Sequence, residues 1–154
     1  MERLNDDIVY FFKKQGCVVV STVDEDGYPH TSCKGIVDIK SKGVIYLLDL
    51  YKAQTYKNLK RNNNISITAV DEHRFKGYCL KGKAKLTHRD DLDSSIIKKW
   101  EDRLTDRITQ RLLKNIHGEK GHRLHAEAQL PKPKYLISVE VEKIVNLTPP
   151  HIKS

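Results

Sequence analysis

Long apolar runs are missing from this chain. Those present, such as Cys17-Val18-Val19-Val20, are strand-sized and far below the roughly 18 residues that a membrane-crossing helix needs. Cysteine is scarce: Cys17, Cys33 and Cys79 are odd in number and unevenly spaced, which argues against a disulfide framework. The opening residues, Met1 to Asp7, lack the charged-then-apolar layout of an export signal. Together these absences point to a reducing cytoplasm, where Asn-x-Ser/Thr matches at Asn64 and Asn146 carry no meaning. Common chemical signatures are absent as well. No G-x-G-x-x-G follows a strand, and no P-loop, H-E-x-x-H, C-x-x-C or G-x-S-x-G appears. Local motifs for nucleotide-triphosphate binding, zinc hydrolysis and serine hydrolysis are therefore excluded.

What is present is a 154-residue chain with net charge +8, sized for one domain over residues 1–154. The charge is uneven. Residues 1–50 carry 6 basic and 8 acidic groups, residues 51–100 carry 12 and 5, and residues 101–154 carry 10 and 7. The stretch from Tyr51 to Asn64 holds Lys52, Lys57, Lys60 and Arg61 with no acid at all. Such a local excess attracts phosphate, whether on a nucleic acid or on a small cofactor.

Hydrophobic patterning divides the chain into short elements. Asn5 caps a helix whose buried side is Ile8, Val9, Phe11 and Phe12, and Gly16 ends it. The β-branched run from Cys17 to Val23 turns at Asp24–Gly27 into a returning strand from His30 to Ile39. A second turn at Lys40–Gly43 leads into Val44–Asp49, which predicts a three-stranded meander. A short helix over Ala53–Arg61 faces Tyr56 and Leu59 inward, followed by a strand at Ile65–Val70. From Tyr78 to Leu86 one face tapers to Gly82 and Ala84 while the other presents Lys81, Lys83 and Lys85, a pattern that suits packing in a narrow barrel.

Residues 91–116 read as helical. Leu92, Ile96, Trp100, Leu104, Ile108, Leu112 and Ile116 recur every fourth residue, so the stripe drifts by about 40° per step against a 3.6-residue period. Either the helix breaks near Thr105, or its two halves pack on different surfaces. A loop rich in glycine and proline follows, and Tyr135–Ile144 makes a last strand. His117, His122 and His125 are spaced as loop histidines rather than as metal ligands, so no metal is expected. Cys33 and Cys79 read as small packed side chains within strands.

The order of pieces from Val20 to Leu86 carries more information than any one of them. V-S-T-V-D-E-D-G-Y-P-H-T-S-C-K-G-I-V (Val20–Val37) precedes I-Y-L-L-D-L (Ile45–Leu50). K-A-Q-T-Y-K-N-L-K-R-N (Lys52–Asn62), a strand and L-K-G-K-A-K-L (Leu80–Leu86) then follow. This arrangement resembles the pyridoxamine 5'-phosphate oxidase-like superfamily of flavin-binding split β-barrels.

The resemblance implies a mainly β (α+β) fold, an antiparallel split barrel with three helical segments. It also implies FMN in a cleft between the subunits of a homodimer, and redox chemistry or electron transfer on a small molecule. By resemblance, Thr31, Ser32, Cys33 and Lys34 line the flavin ring. Asp49 leads to the phosphate site at Lys52, Gln54, Thr55 and Lys57, and Tyr78 reaches the ring from the partner subunit. A helix N-terminus there would favour an anion through its free N–H groups.

Two departures stand out. Many members carry adjacent basic residues where this chain has Gln54 and Thr55. True pyridoxamine phosphate oxidases end in a substrate-binding segment with Arg and His, which Leu147–His151 does not match. Vitamin B6 oxidation is therefore not expected, and no side chain is marked as general acid or base beyond His30 and Asp49. The same barrel with deazaflavin or haem is an alternative. A nucleic-acid reading rests on Lys99, Arg103, Arg107 and Arg111, spaced four apart along the long helix.

Overall fold

Asn5 starts the first helix as its sequence requires. Its Oδ1 accepts from the Ile8 N–H at 2.9 Å, and Asp6 and Asp7 occupy the first turn of α1 (Asp6–Lys14), where negative charge suits the helix dipole. Ile8, Phe11 and Phe12 are buried. The chain is seen here in a computed structural model that describes residues 1–116 and 131–152.

Seven antiparallel strands follow: β1 (Val18–Val23), β2 (Pro29–Lys34), β3 (Ile36–Lys40), β4 (Val44–Asp49), β5 (Asn64–Asp71), β6 (Lys76–His88) and β7 (Tyr135–Asn146). Helix α2 (Gln54–Arg61) joins β4 to β5, and α3 (Ser94–Ile116) follows β6. The sheet order is β2-β1-β5-β6-β7-β4-β3. It curls around a core that includes Phe12, Ile45, Leu47, Ile67, Leu80, Ile137 and Val139, all fully buried. This is the α+β split barrel that the sequence resembles.

The predicted meander is corrected in one respect. The returning strand is two strands, and Gly35 alone separates β2 at one edge of the sheet from β3 at the other. The cause is visible in the side-chain phase. A period of two would bury Ile36 and expose Val37, yet both are buried, with a register shift between Ile36 and Asp38 in the β3–β4 ladder. Ile36 enters the barrel core, whereas Val37 joins Leu48 and Leu136 in a second cluster outside it.

That second cluster receives α3. Leu92, Ile96, Ile97 and Trp100 pack on it. The helix runs unbroken through Thr105, whose Oγ1 donates to the Glu101 carbonyl at 3.1 Å instead of capping a new segment. Asp93 Oδ1 accepts from the Ser95 N–H at 2.8 Å at its start, and this backbone bond holds the Asp93 carboxyl below its ordinary pKa. The drifting stripe is thus one helix whose first half packs on its own barrel.

Gly82 shows why β6 tapers. A β-carbon at this position would collide with the Glu140 carbonyl of β7, beside a register shift between Lys81 and Gly82. Only glycine allows the two strands to approach so closely. Leu80 and Ala84 complete the buried face, in agreement with the barrel-packing reading.

Candidate functional site

The C-terminal ends of β2 and β4 lie together because the chain crosses the sheet at Gly35. Between them, the start of α2 and one face of α3, lies a cavity of about 500 Å³. Its size is ordinary for a cofactor or small-ligand site.

The floor is ionic. Lys34 Nζ pairs with Asp49 Oδ2, and each side chain is only 9% exposed. Tyr135 donates its hydroxyl to the same oxygen at 2.7 Å, and the Tyr51 N–H reaches Oδ1 at 3.2 Å. A buried charge pair is tolerable only when its remaining lone pairs are satisfied, and here they are. Burial first, then the bond to Asp49, raises the Tyr135 pKa far above that of a free phenol. With its carboxylate committed to these donors, Asp49 is a structural anion rather than an available base.

One end of the cavity is the N-terminus of α2. Ala53, the N-cap, supplies no side-chain acceptor, and the first turn contains no acid. The backbone N–H groups there keep their affinity for an anion. Thr55 is 4% exposed, with its Oγ1 3.1 Å from Ser32 Oγ. Helix α2 is held in place by Asn58, which donates to Thr22 Oγ1 at 3.0 Å and accepts from Gln54 Nε2 at 2.8 Å.

Of the ten residues that the resemblance assigns to the cofactor, six border this cavity: Ser32, Cys33, Lys34, Asp49, Gln54 and Thr55. Four stand apart from it. Thr31 shares a 3.3 Å hydrogen bond with Ser21 across the β1–β2 ladder. Lys52 lies over the Tyr56 ring with Nζ 5.5 Å from its centroid, and Lys57 is exposed. Tyr78 meets Phe11 edge-on at 5.3 Å in its own subunit. Cys33 differs from its expected packing. It is exposed because β2 is an edge strand, while Cys79 is partly buried.

The sequence reading missed the cavity's α3 wall: Trp100, Arg103, Leu104 and Arg107. Their spacing of three and four residues places them on one helix face. The signal was available, but the arginines read as a solvent-facing stripe. Lys99 instead pairs with Asp38 at 2.6 Å, which raises its pKa, and Arg103 donates to the carbonyls of Ile36 and, at 3.3 Å, Lys13. Two members of the stripe, Lys99 and Arg103, are thus engaged with groups of β3 and α1 in the same chain. His30 lines the cavity; His117, His122 and His125 lie outside the described residues. No group of three metal-ligating side chains occurs among the described residues, and no described helix is long and apolar enough to cross a membrane.

Several solved structures share this fold. HupZ of Group A Streptococcus is 20% identical over 94% of both chains, with a TM-score of 0.64. An F420 reductase is 15% identical over 88% of this chain and 94% of its own, with a TM-score of 0.60. HutZ, the haem storage protein of Vibrio cholerae, is 19% identical over 94% of both, with a TM-score of 0.54. No curated protein matches the sequence. The family model for pyridoxamine 5'-phosphate oxidase, however, spans residues 4–147, nearly the whole barrel. By that match and by its fold, the chain belongs to the pyridoxamine 5'-phosphate oxidase family.

Proposed function

We propose that this protein is an FMN-binding flavoprotein, an oxidoreductase or electron-transfer protein acting on a small molecule other than pyridoxamine phosphate. The supporting observation is the cavity end at α2, where free N–H groups meet the Ser32–Thr55 hydroxyl pair, Thr55 buried and Ser32 half-buried. Such a cradle fits a terminal phosphate. The apolar walls at Ile36, Val37, Leu48 and Trp100 fit a planar ring system.

Bound FMN would supply hydride or single-electron transfer, the chemistry that a flavin contributes wherever it binds. The chain's own part is to bind, orient and shield. Ser32 and Thr55 hold the phosphate, Lys34 and Asp49 set a fixed dipole in the floor, and α3 closes one side against water.

The reading includes a homodimer with the flavin at the subunit interface. Tyr78 and the outer half of α3, including the half-exposed Ile108, face the partner in that arrangement. Surface such as Val19, Val70 and Phe75, more than a third exposed in the single chain, is consistent with a partner.

Deazaflavin is the second reading, because an F420 reductase shares the fold. Mass spectrometry of the ligand released from native protein, with its visible spectrum and an FMN titration, tests both readings. The flavin reading predicts FMN and saturable binding. A protein that shows neither flavin absorbance nor saturable FMN binding contradicts it.

A further inference from the structure

The α3 face of the cavity carries charge that the cofactor reading leaves unused. Arg103 and Arg107 lie one turn apart on α3, and both border the cavity. Arg103 is half-buried. Desolvation and then the neighbouring Arg107 charge lower its pKa, which places two guanidinium groups close together in a partly dry wall. No carboxylate of a described residue lies within ion-pair distance of either one.

The two arginines differ in what they have left to give. Arg103 spends donors on the Ile36 and Lys13 carbonyls, so it is fixed and only partly available. Arg107 has no such anchor among the described residues. Its Nη2 stands 3.6 Å from where a β-carbon of Gly35 would be, an ordinary contact distance, which places the guanidinium beside the β2–β3 crossing at the cavity wall. One free planar fork matches one carboxylate through two parallel N–H bonds. Leu104, between the two arginines on α3, also borders the cavity and is apolar.

We propose that Arg107, with Arg103 as a fixed charge behind it, binds the carboxylate of a small organic acid with an apolar body, and that this acid is the substrate class of the cavity. As a statement about substrate it rests on the flavin reading; as a statement about a carboxylate site it does not.

Calorimetric titration of the FMN-loaded protein with benzoate, benzamide and phenyl phosphate tests it, on wild type, Arg107→Met and Arg107→Lys. The expected result is saturable benzoate binding that weakens at least tenfold in Arg107→Met and less in Arg107→Lys. Benzamide should bind at least tenfold more weakly than benzoate to wild type, with no dependence on Arg107. FMN affinity should stay within threefold in both variants.

Benzoate binding that is absent, or equal in wild type and Arg107→Met, overturns the proposal while leaving the flavin reading intact. A tenfold preference for phenyl phosphate over benzoate overturns the carboxylate assignment. A tenfold loss of FMN affinity in Arg107→Met overturns it too, by giving the arginine to the cofactor's phosphate. If wild type binds no FMN, the flavin reading fails separately. The same titration of ligand-free protein then decides the carboxylate site by its dependence on Arg107.

Discussion

The Tyr135 hydroxyl donates to Asp49 Oδ2 at 2.7 Å, joining the first residue of β7 to the last residue of β4 beneath the cavity. Lys34 holds the same oxygen from the end of β2, on the other side of the chain crossing. Three strand ends thus meet on one carboxylate, and the floor of the cavity is also a closure point of the barrel.

Breaking this cluster unevenly should be worse than removing it. Lys34→Met leaves the Asp49 charge buried with only hydrogen-bond partners and should destabilise the fold by about 3–5 kcal/mol. Tyr135→Phe removes one bond to a charged acceptor, worth about 1.5–3 kcal/mol. The double change Lys34→Met with Asp49→Leu should recover part of the first loss. Urea unfolding of the three variants measures the order.

The raised Tyr135 pKa sets an alkaline limit. Above about pH 10 the unfolded chain releases the phenolic proton while the native chain keeps it, so stability falls as pH rises. Below pH 10 both states hold the proton and the effect vanishes. Compared with Tyr135→Phe, the wild type should lose up to about 1.4 kcal/mol more per pH unit in the alkaline range. Unfolding at stepped pH, read against phenolate absorbance, checks the sign.

The phosphate cradle should be selective for the phosphate itself. Thr55→Val and Ser32→Ala should each weaken FMN binding about tenfold, the scale of one charge-assisted hydrogen bond. Riboflavin, which lacks the phosphate, should bind both variants as it binds wild type. Lys52→Ala and Lys57→Ala should have much smaller effects, since neither side chain borders the cavity. Parallel titrations with FMN and riboflavin separate these outcomes.

Gly82→Ala should destabilise the barrel by about 1–3 kcal/mol, because β6 and β7 must separate to admit the new methyl group. The loss should appear in thermal unfolding without a selective effect on ligand binding.

If the flavin cleft lies between two subunits, cofactor affinity and association are linked by mass action. Ile108→Glu should weaken both together. Light scattering and FMN titration on the same sample test this, and a folded monomer with unchanged FMN affinity would place the site within one chain.

Much of this architecture was legible in residue order. Asn5 signalled its helix because a cap needs a short polar acceptor before an apolar stripe, and Gly82 signalled close packing by lacking a side chain. The β2–β3 crossing was not legible. Residues 30–39 alternate plausibly as one strand, and only burial shows Ile36 and Val37 facing different clusters. The α3 wall was missed for a related reason. Arg103 and Arg107 look like surface charge until backbone carbonyls and a cavity are set against them. Lys52 and Lys57 illustrate the opposite case: they are close in sequence to the α2 N-terminus, yet neither side chain borders the cavity.

Trp100 is the chain's single tryptophan and sits in the cavity wall, so its emission reports directly on what enters. FMN titrated into the protein should remove most of that emission saturably, at one FMN per chain, and Thr55→Val should shift the midpoint about tenfold higher. Emission that stays unchanged, or that declines linearly without saturation as FMN is added, would contradict a flavin in this cavity.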